Sequence, residues 1–183
     1  LALAHLGAES EITRDPARIL ASERVLFPGV GSAGAAMQTL RSRGLDDVLR
    51  QVAQRGTPFL GICLGAQIIL DRSEEDGGTP GLGLLPGSAR RFRPADPADK
   101  VPHMGWNSAE FLRPHPLLDG LESGSEFYFV HSYYPAPADR AAVLAETDYA
   151  GCRFASVLAR GNLAATQFHP EKSGRLGLQL LRN

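Results

Sequence analysis

The sequence is short of several things, and each shortage excludes a class of protein. Only two of its 183 residues are cysteine. Cys63 and Cys152 lie too far apart to be read as a disulfide framework, and neither has a Cys or His at metal-ligand spacing, so no metal and no cofactor are expected. Charge of one sign is also missing: 19 Lys+Arg face 20 Asp+Glu, a net charge of −1. That balance leaves no electrostatic case for nucleic acid or an anionic membrane. No apolar run approaches the roughly 20 residues of a membrane span, and no charged-then-apolar leader precedes a cleavage site. A soluble, cytoplasmic protein is expected. Repeats and low-complexity segments are absent as well. A single domain over residues 1–183 is expected, long enough to bury about 70% of its unfolded surface in one core.

Glycine (20) and proline (13) are plentiful, and they punctuate the chain. The sequence starts at Leu1, and residues 1–8 read as the tail of a helix whose start is missing. Residues 9–13 alternate polar and apolar as a strand would. Asp15-Pro16 opens a short helix, with Asp as N-cap and Pro in the first turn. Residues 24–27 form a compact apolar strand that stops at Pro28-Gly29, before a glycine-dense loop over residues 29–34. Two helices follow at 35–43 and 45–55, the second with Leu45, Val48, Leu49 and Val52 on one face. Residues 59–62 are a second buried strand, running straight into Cys63-Leu64-Gly65 and an apolar helix at 66–70. Strand and helix alternating in this way predict a parallel α/β sheet. Residues 73–86 are acidic and rich in Gly and Pro, and read as an ordered surface loop. Short strands are then expected at 89–92, 102–107, 127–131, 143–147, 154–160 and 163–168. Gly161-Asn162 makes a hairpin of the last two, and a helix at 174–181 closes the chain.

The chemistry gathers at Cys63. Gly61-Ile62-Cys63-Leu64-Gly65 places a nucleophile on a tight strand-to-helix turn, where the strained, close-packed backbone demands small residues two positions to each side. A thiol there meets unpaired helix N–H groups that favour its thiolate. The Leu64 amide is placed to stabilise an oxyanion, with a second donor from Gly29, Val30 and Gly31. Most free cysteines are small buried hydrophobes, and Cys152 keeps that reading. A thiolate nucleophile needs a base. Among five histidines, His169 ends a strand and is followed by Pro170 and Glu171. In a rigid extended chain residues two apart point the same way, so Glu171 can orient the imidazole toward the thiol. Strand ends are where parallel α/β sheets place their sites.

Gly61-Ile62-Cys63-Leu64-Gly65-Ala66-Gln67 together with Gln167-Phe168-His169-Pro170-Glu171 resembles the class I (triad) glutamine amidotransferases. Pro28-Gly29-Val30-Gly31, Pro102-His103-Met104-Gly105-Trp106-Asn107, Phe129-Val130-His131-Ser132-Tyr133-Tyr134 and Lys172-Ser173-Gly174 narrow the resemblance to the glutaminase subunits of imidazole glycerol phosphate synthase, over essentially the whole chain. The resemblance implies the class I glutamine amidotransferase fold, a mixed, mostly parallel α/β sheet flanked by helices with a nucleophile elbow after a core strand. It also implies a Cys63, His169 and Glu171 triad that hydrolyses L-glutamine to glutamate and ammonia. Gln67 and Glu75 would hold the amino-acid end of glutamine, and Ser132 and Tyr133 would contribute mostly backbone. Gly29, Val30, Gly31 and Leu64 would form the oxyanion site. The implied partner is a (β/α)₈ synthase subunit that receives the ammonia in histidine biosynthesis, met on the side bearing Trp106 and Lys172. Ala33 stands where the family usually has an aromatic, and Ala66 where Met is common. The family's first strand and glycine-rich turn are absent from the sequence, so a truncated N-terminus is expected. Another triad amidotransferase, or a non-catalytic interaction subunit resulting from the truncation, are the alternative readings.

Overall fold

The computed structural model describes residues 1–183. It contains a seven-stranded sheet, a four-stranded sheet and six helices. In chain order these are α1 (Ala2–His5), α2 (Pro16–Ala21), β1 (Val25–Gly29), α3 (Ala33–Ser42), α4 (Leu45–Gln54), β2 (Phe59–Cys63), α5 (Leu64–Ile68), β3 (Leu70–Ser73), β4 (Thr79–Pro80), β5 (Leu85–Arg91), β6 (His103–Phe111), β7 (Ser125–His131), β8 (Tyr133–Pro137), β9 (Val143–Tyr149), β10 (Cys152–Arg160), β11 (Leu163–Thr166) and α6 (Gly174–Arg182). The large sheet runs β1-β2-β11-β10-β9-β6-β7, and the small one β4-β3-β5-β8.

The large sheet is mixed. β2 pairs in parallel with both β1 and β11, whereas β11 to β10, β10 to β9, β9 to β6 and β6 to β7 are antiparallel. β1 and β2 are joined through α3 and α4, the crossover that parallel strands require, whereas everything from α5 to β10 lies between β2 and β11. The β10–β11 pair is the expected hairpin, closed by Gly161 in the left-handed conformation (φ 60°) and Asn162. The Asn162 side chain donates to the Ala53 and Thr57 carbonyls, tying the hairpin to the end of α4.

Several segments differ from the sequence reading. Residues 73–86, read as a loop, hold β4 and the ends of β3 and β5. Residues 9–13 are not a strand: nothing pairs with them in either sheet and Ile12 is fully exposed, so alternation alone did not suffice. β1 runs on through Pro28 to Gly29; it lies at the sheet edge, where a missing N–H is tolerated. α5 is only five residues long and turns at once into β3, so residues 66–70 are not a helix of their own. β8, with Pro135 and Pro137, was not among the expected strands; it is the edge of the small sheet, where proline is again accommodated.

Two buried clusters hold the fold. One is largely aliphatic and joins α3, α4 and α5 to the sheet, with Met37, Leu49, Val52, Phe59, Ile68 and Leu70 in it. The other is built from rings: Phe92, Phe127, Phe129, Phe154 and Phe168, with Leu180 of α6.

Candidate active site

Cys63 ends β2 and begins α5 with φ 54° and ψ −105°. Non-glycine residues adopt such a backbone rarely and at a cost, so surrounding contacts must enforce it. They are visible. A Cβ at Gly61 would lie 2.9 Å from the Gly65 carbonyl carbon, and one at Gly65 would collide with the Phe27 carbonyl oxygen. Both glycines are needed for close approach rather than for positive φ. The turn therefore forces the buried Cys63 thiol out of the strand plane. The shortness of α5 means that local N–H groups, not a long helix dipole, shape the electrostatics there.

His169 follows β11, the strand that pairs in parallel with β2. β11 stops at Thr166, where the Gln167 N–H bonds to the Ser156 carbonyl at an irregularity in β10. The chain is then stapled to β7. The His169 N–H donates to the Tyr128 carbonyl at 2.9 Å, and the Ser173 hydroxyl donates to the His169 carbonyl at 2.6 Å while accepting the Tyr128 N–H. Pro170 leads into a single tight turn against which α6 packs. A Cβ at Gly177 would collide with the Pro170 carbonyl oxygen, so α6 fixes the height of this turn. His169 Nδ1 lies 2.7 Å from Glu171 Oε1. Burial opposes a charged imidazole, but hydrogen bonding and charge from Cys63 and Glu171 outweigh it and raise His169 to about 9. Burial likewise disfavours the Glu171 carboxylate, yet its bond to His169 and the charges of His169 and Lys172 hold it below the usual carboxylate range.

The structure thus brings together the three residues singled out as a triad. It treats the other candidates differently. Gly29 stands in register beside Cys63 on the neighbouring strand, and its Cβ position lies 3.0 Å from Leu64 Cβ. Gly31 has φ 92°, and Val30 between them is 81% exposed. Gln67 is buried, and its Nε2 donates to the Tyr133 carbonyl at 2.8 Å and to Gln167 Oε1 at 3.0 Å. With both amide protons committed, Gln67 Oε1 is the group left to meet a ligand. The Ser132 and Tyr133 carbonyls have internal duties: Ser132 accepts from the Phe92 N–H, and Tyr133 from Gln67 and His131. Glu75 accepts the Ala33 N–H at 2.7 Å, and Asp76 the Gly34 N–H at 3.0 Å, so the acidic loop caps α3 and anchors the loop after β1. Burial raises the Glu75 carboxyl, with Asp76 adding to it and the Ala33 N–H opposing it.

Trp106 is a surface residue, 56% exposed, and Met104 beside it is 63% exposed. Both lie on the outer face of β6. Trp106 meets the Tyr128 ring edge-on at 6.1 Å, and Lys172 Nζ sits 6.0 Å from the centre of that ring. An apolar patch with a cation therefore borders the triad. No group of three or more His, Cys, Asp or Glu residues is arranged to hold a metal.

Gln167 and Ser173 carry weight that sequence reasoning missed. Gln167 is fully buried and its Nε2 lies 3.7 Å from Cys63 Sγ. Its signal in the sequence was its place two residues before His169, within the motif that carries the family resemblance.

Comparisons with known proteins give the family and the fold. A family model described as Glutamine amidotransferase class-I matches residues 2–183. The chain is 54% identical over 187 aligned positions to the imidazole glycerol phosphate synthase subunit HisH of Desulfovibrio desulfuricans, covering 100% of this chain and 85% of that protein. It is 50% identical to the subunit of the same name from Moorella thermoacetica, with 100% and 85% covered. Among solved structures it resembles a glutamine amidotransferase crystal structure (TM-score 0.70, 21% identity, 99% of this chain and 88% of that one). It also resembles the glutaminase domain of Trypanosoma brucei CTPS with bound acivicin (TM-score 0.66, 15% identity, 98% and 82%). At those identities the structural matches speak for the fold alone, which is that of class I glutamine amidotransferases. The chain belongs to the class I glutamine amidotransferases and, among them, to the family of imidazole glycerol phosphate synthase HisH subunits.

Proposed function

We propose that this glutaminase subunit hydrolyses L-glutamine through Cys63, His169 and Glu171 and passes the ammonia to a (β/α)₈ synthase partner, which forms imidazole glycerol phosphate and an aminoimidazole carboxamide ribotide in histidine biosynthesis. The observation that carries the reading is the strained Cys63 elbow facing an imidazole that Glu171 holds by a 2.7 Å hydrogen bond.

The Cys63 sulfur adds to the glutamine carboxamide carbon, and the charge on oxygen is met by the Leu64 N–H and a peptide N–H of the loop at residues 29–31. His169, raised to about 9, carries a proton at neutral pH. It gives that proton to the departing nitrogen as the C–N bond breaks, leaving a γ-glutamyl thioester. Neutral His169 then takes a proton from water as its oxygen attacks the thioester. Glutamate leaves, and the proton returns the site to its starting state. Glu171 holds the imidazole in one tautomer and stabilises its cation. Gln67 Oε1 and Glu75 Oε1 are acceptors suited to the ammonium end of the substrate.

Ammonia freed beside bulk water would be lost, so the site needs a cover. Met104, Trp106 and Lys172 offer the partner an apolar and cationic surface at the triad. The test is glutamate production with the synthase partner and its nucleotide ligand present. Turnover should rise on assembly and fall about 10⁴-fold or more in Cys63→Ala. No rise on assembly, or full activity in Cys63→Ala, would refute the proposal.

A further inference from the structure

We propose that His103 and His131 form a neutral hydrogen-bonded strut that positions Gln67, and through it the amino-acid end of the substrate. The inference rests on the glutaminase reading above and assigns a positioning role to two histidines that the triad does not use.

The direction of every bond in the strut follows from its ends. His131 Nδ1 lies 2.8 Å from the Tyr133 carbonyl oxygen, which can only accept, so His131 carries its proton on Nδ1. Its Nε2 is then a lone pair, and His103 Nδ1, 3.1 Å away, must donate to it. His103 Nε2 accepts in turn from Asn107 Nδ2 at 3.3 Å. Asn107 is held from both sides, donating to the Asp148 carbonyl and accepting the Ser108 N–H. At the other end the Tyr133 carbonyl uses its second lone pair for Gln67 Nε2. The series runs Asn107, His103, His131, the Tyr133 carbonyl and Gln67, and leaves Gln67 Oε1 presented as an acceptor.

The surroundings keep both rings neutral. His103 is stacked between Phe129 at 4.9 Å and Tyr149 at 3.9 Å, and His131 packs against Phe92 and Phe154. Burial lowers His103 to about 4. Burial, helped by His103 and His169 and opposed by the Tyr133 carbonyl, lowers His131 to about 3. A second proton on His131 would turn its lone pair into a donor facing the His103 donor, and the strut would break.

The side chain of His131 hydrogen-bonds only to His103 and the Tyr133 carbonyl, not to the triad. Two links run on to Cys63: Gln67's other amide proton through Gln167, and the Val130 carbonyl beside His131, 3.9 Å from Cys63 Sγ. Loss of His131 frees the Tyr133 carbonyl and lets the Gln67 amide rotate, which weakens recognition of glutamine while leaving the triad in place.

The test labels Cys63 in the enzyme assembled with its synthase partner. 6-Diazo-5-oxo-L-norleucine needs the amino-acid subsite, whereas iodoacetamide needs only the thiol. In His131→Leu the half-saturating concentration of the diazo-ketone should rise about tenfold, with its maximal labelling rate and the iodoacetamide rate within about twofold of wild type. His131→Asn, whose amide can still donate to the Tyr133 carbonyl, should recover most of the loss. Unchanged half-saturation in His131→Leu, an equal loss with both reagents, or an Asn variant as impaired as Leu would overturn the proposal. If His131→Leu does not fold, His103→Leu carries the test one bond further out: a rise of about threefold or more supports the strut, and wild-type saturation overturns it. Failure of the wild-type enzyme to react with the diazo-ketone would instead defeat the glutaminase reading.

Discussion

The two halves of the large sheet bury different materials. Around β1, β2 and β11 the core is aliphatic, and its critical positions are glycines: Gly29, Gly61 and Gly65 let β1, β2 and α5 approach until backbone meets backbone. Around β6, β7, β9 and β10 the core is a cage of rings that encloses His103 and His131. The first half holds Cys63 on its strained turn beside Gly29, the residues we propose as nucleophile and oxyanion loop. The second supplies the segment that holds His169 and the hydrogen bonds that aim Gln67. Strain needs tight, featureless packing to hold it, because any void would let the turn relax. Buried polar groups need partners, because each unpaired one costs about 1–3 kcal/mol. The site sits where the two solutions meet.

The comparison can be broken from either side, and the largest effect is expected at the seam. Glu171→Gln keeps the shape but removes the charge that raises His169, so turnover should drop about 10²–10⁴-fold while thermal stability changes little. Steady-state glutamate release alongside a melting curve checks both parts. Next comes the aliphatic half. Gly65→Ala drives a methyl group into the Phe27 carbonyl, and should cost about 1–3 kcal/mol in denaturant titrations and displace Cys63. Gly177→Ala should cost a similar amount from the ring-lined half by pushing on Pro170.

At the rim, Trp106→Ala should weaken partner binding by about 2 kcal/mol, read by titration calorimetry. Stability of the isolated subunit should stay within about 0.5 kcal/mol, because the residue is mostly exposed.

The smallest and most general contrast is with pH. His169 binds its proton more tightly folded than unfolded, so its contribution is complete below pH about 6.5 and is lost as pH rises through about 9. His103 and His131 have the opposite sign. Below pH about 6.5 the unfolded chain takes up protons that the folded one refuses until about 4 and about 3, so acid destabilises the ring-lined half. Stability measured from pH 6.5 to 4.5 should fall with a slope that flattens in a His103→Asn, His131→Asn double variant. An unchanged slope would show that these rings do not govern the acid side.

What could be read beforehand differed between the halves for the same reason. The elbow was legible at Gly61 and Gly65 because its strain is confined to five consecutive residues. The His169–Glu171 pair was legible because the two residues are neighbours in sequence on either side of a proline, although a tight turn over Pro170–Lys172, and not the extended chain expected, is what aligns them. The β10–β11 hairpin was legible from Gly161-Asn162. The residues 9–13, by contrast, alternate like a strand and are not one, since a strand exists only by virtue of a partner. β8 was hidden by its prolines, which an edge accepts and an interior would not.

By itself, then, the sequence determined the local arrangement: a cysteine on a strained turn, a histidine beside a carboxylate, and an α/β order of elements. Only the tertiary structure decided that Gln67 is held by Tyr133 and Gln167, that Glu75 caps the helix after the loop that follows β1, and that Trp106 faces outward while His103, on the same strand, faces in. The physical reason is reach. Strain and turn preference act over a few bonds and leave a pattern in adjacent residues, whereas a hydrogen bond between residues a hundred positions apart exists only once strand order and register have brought them together.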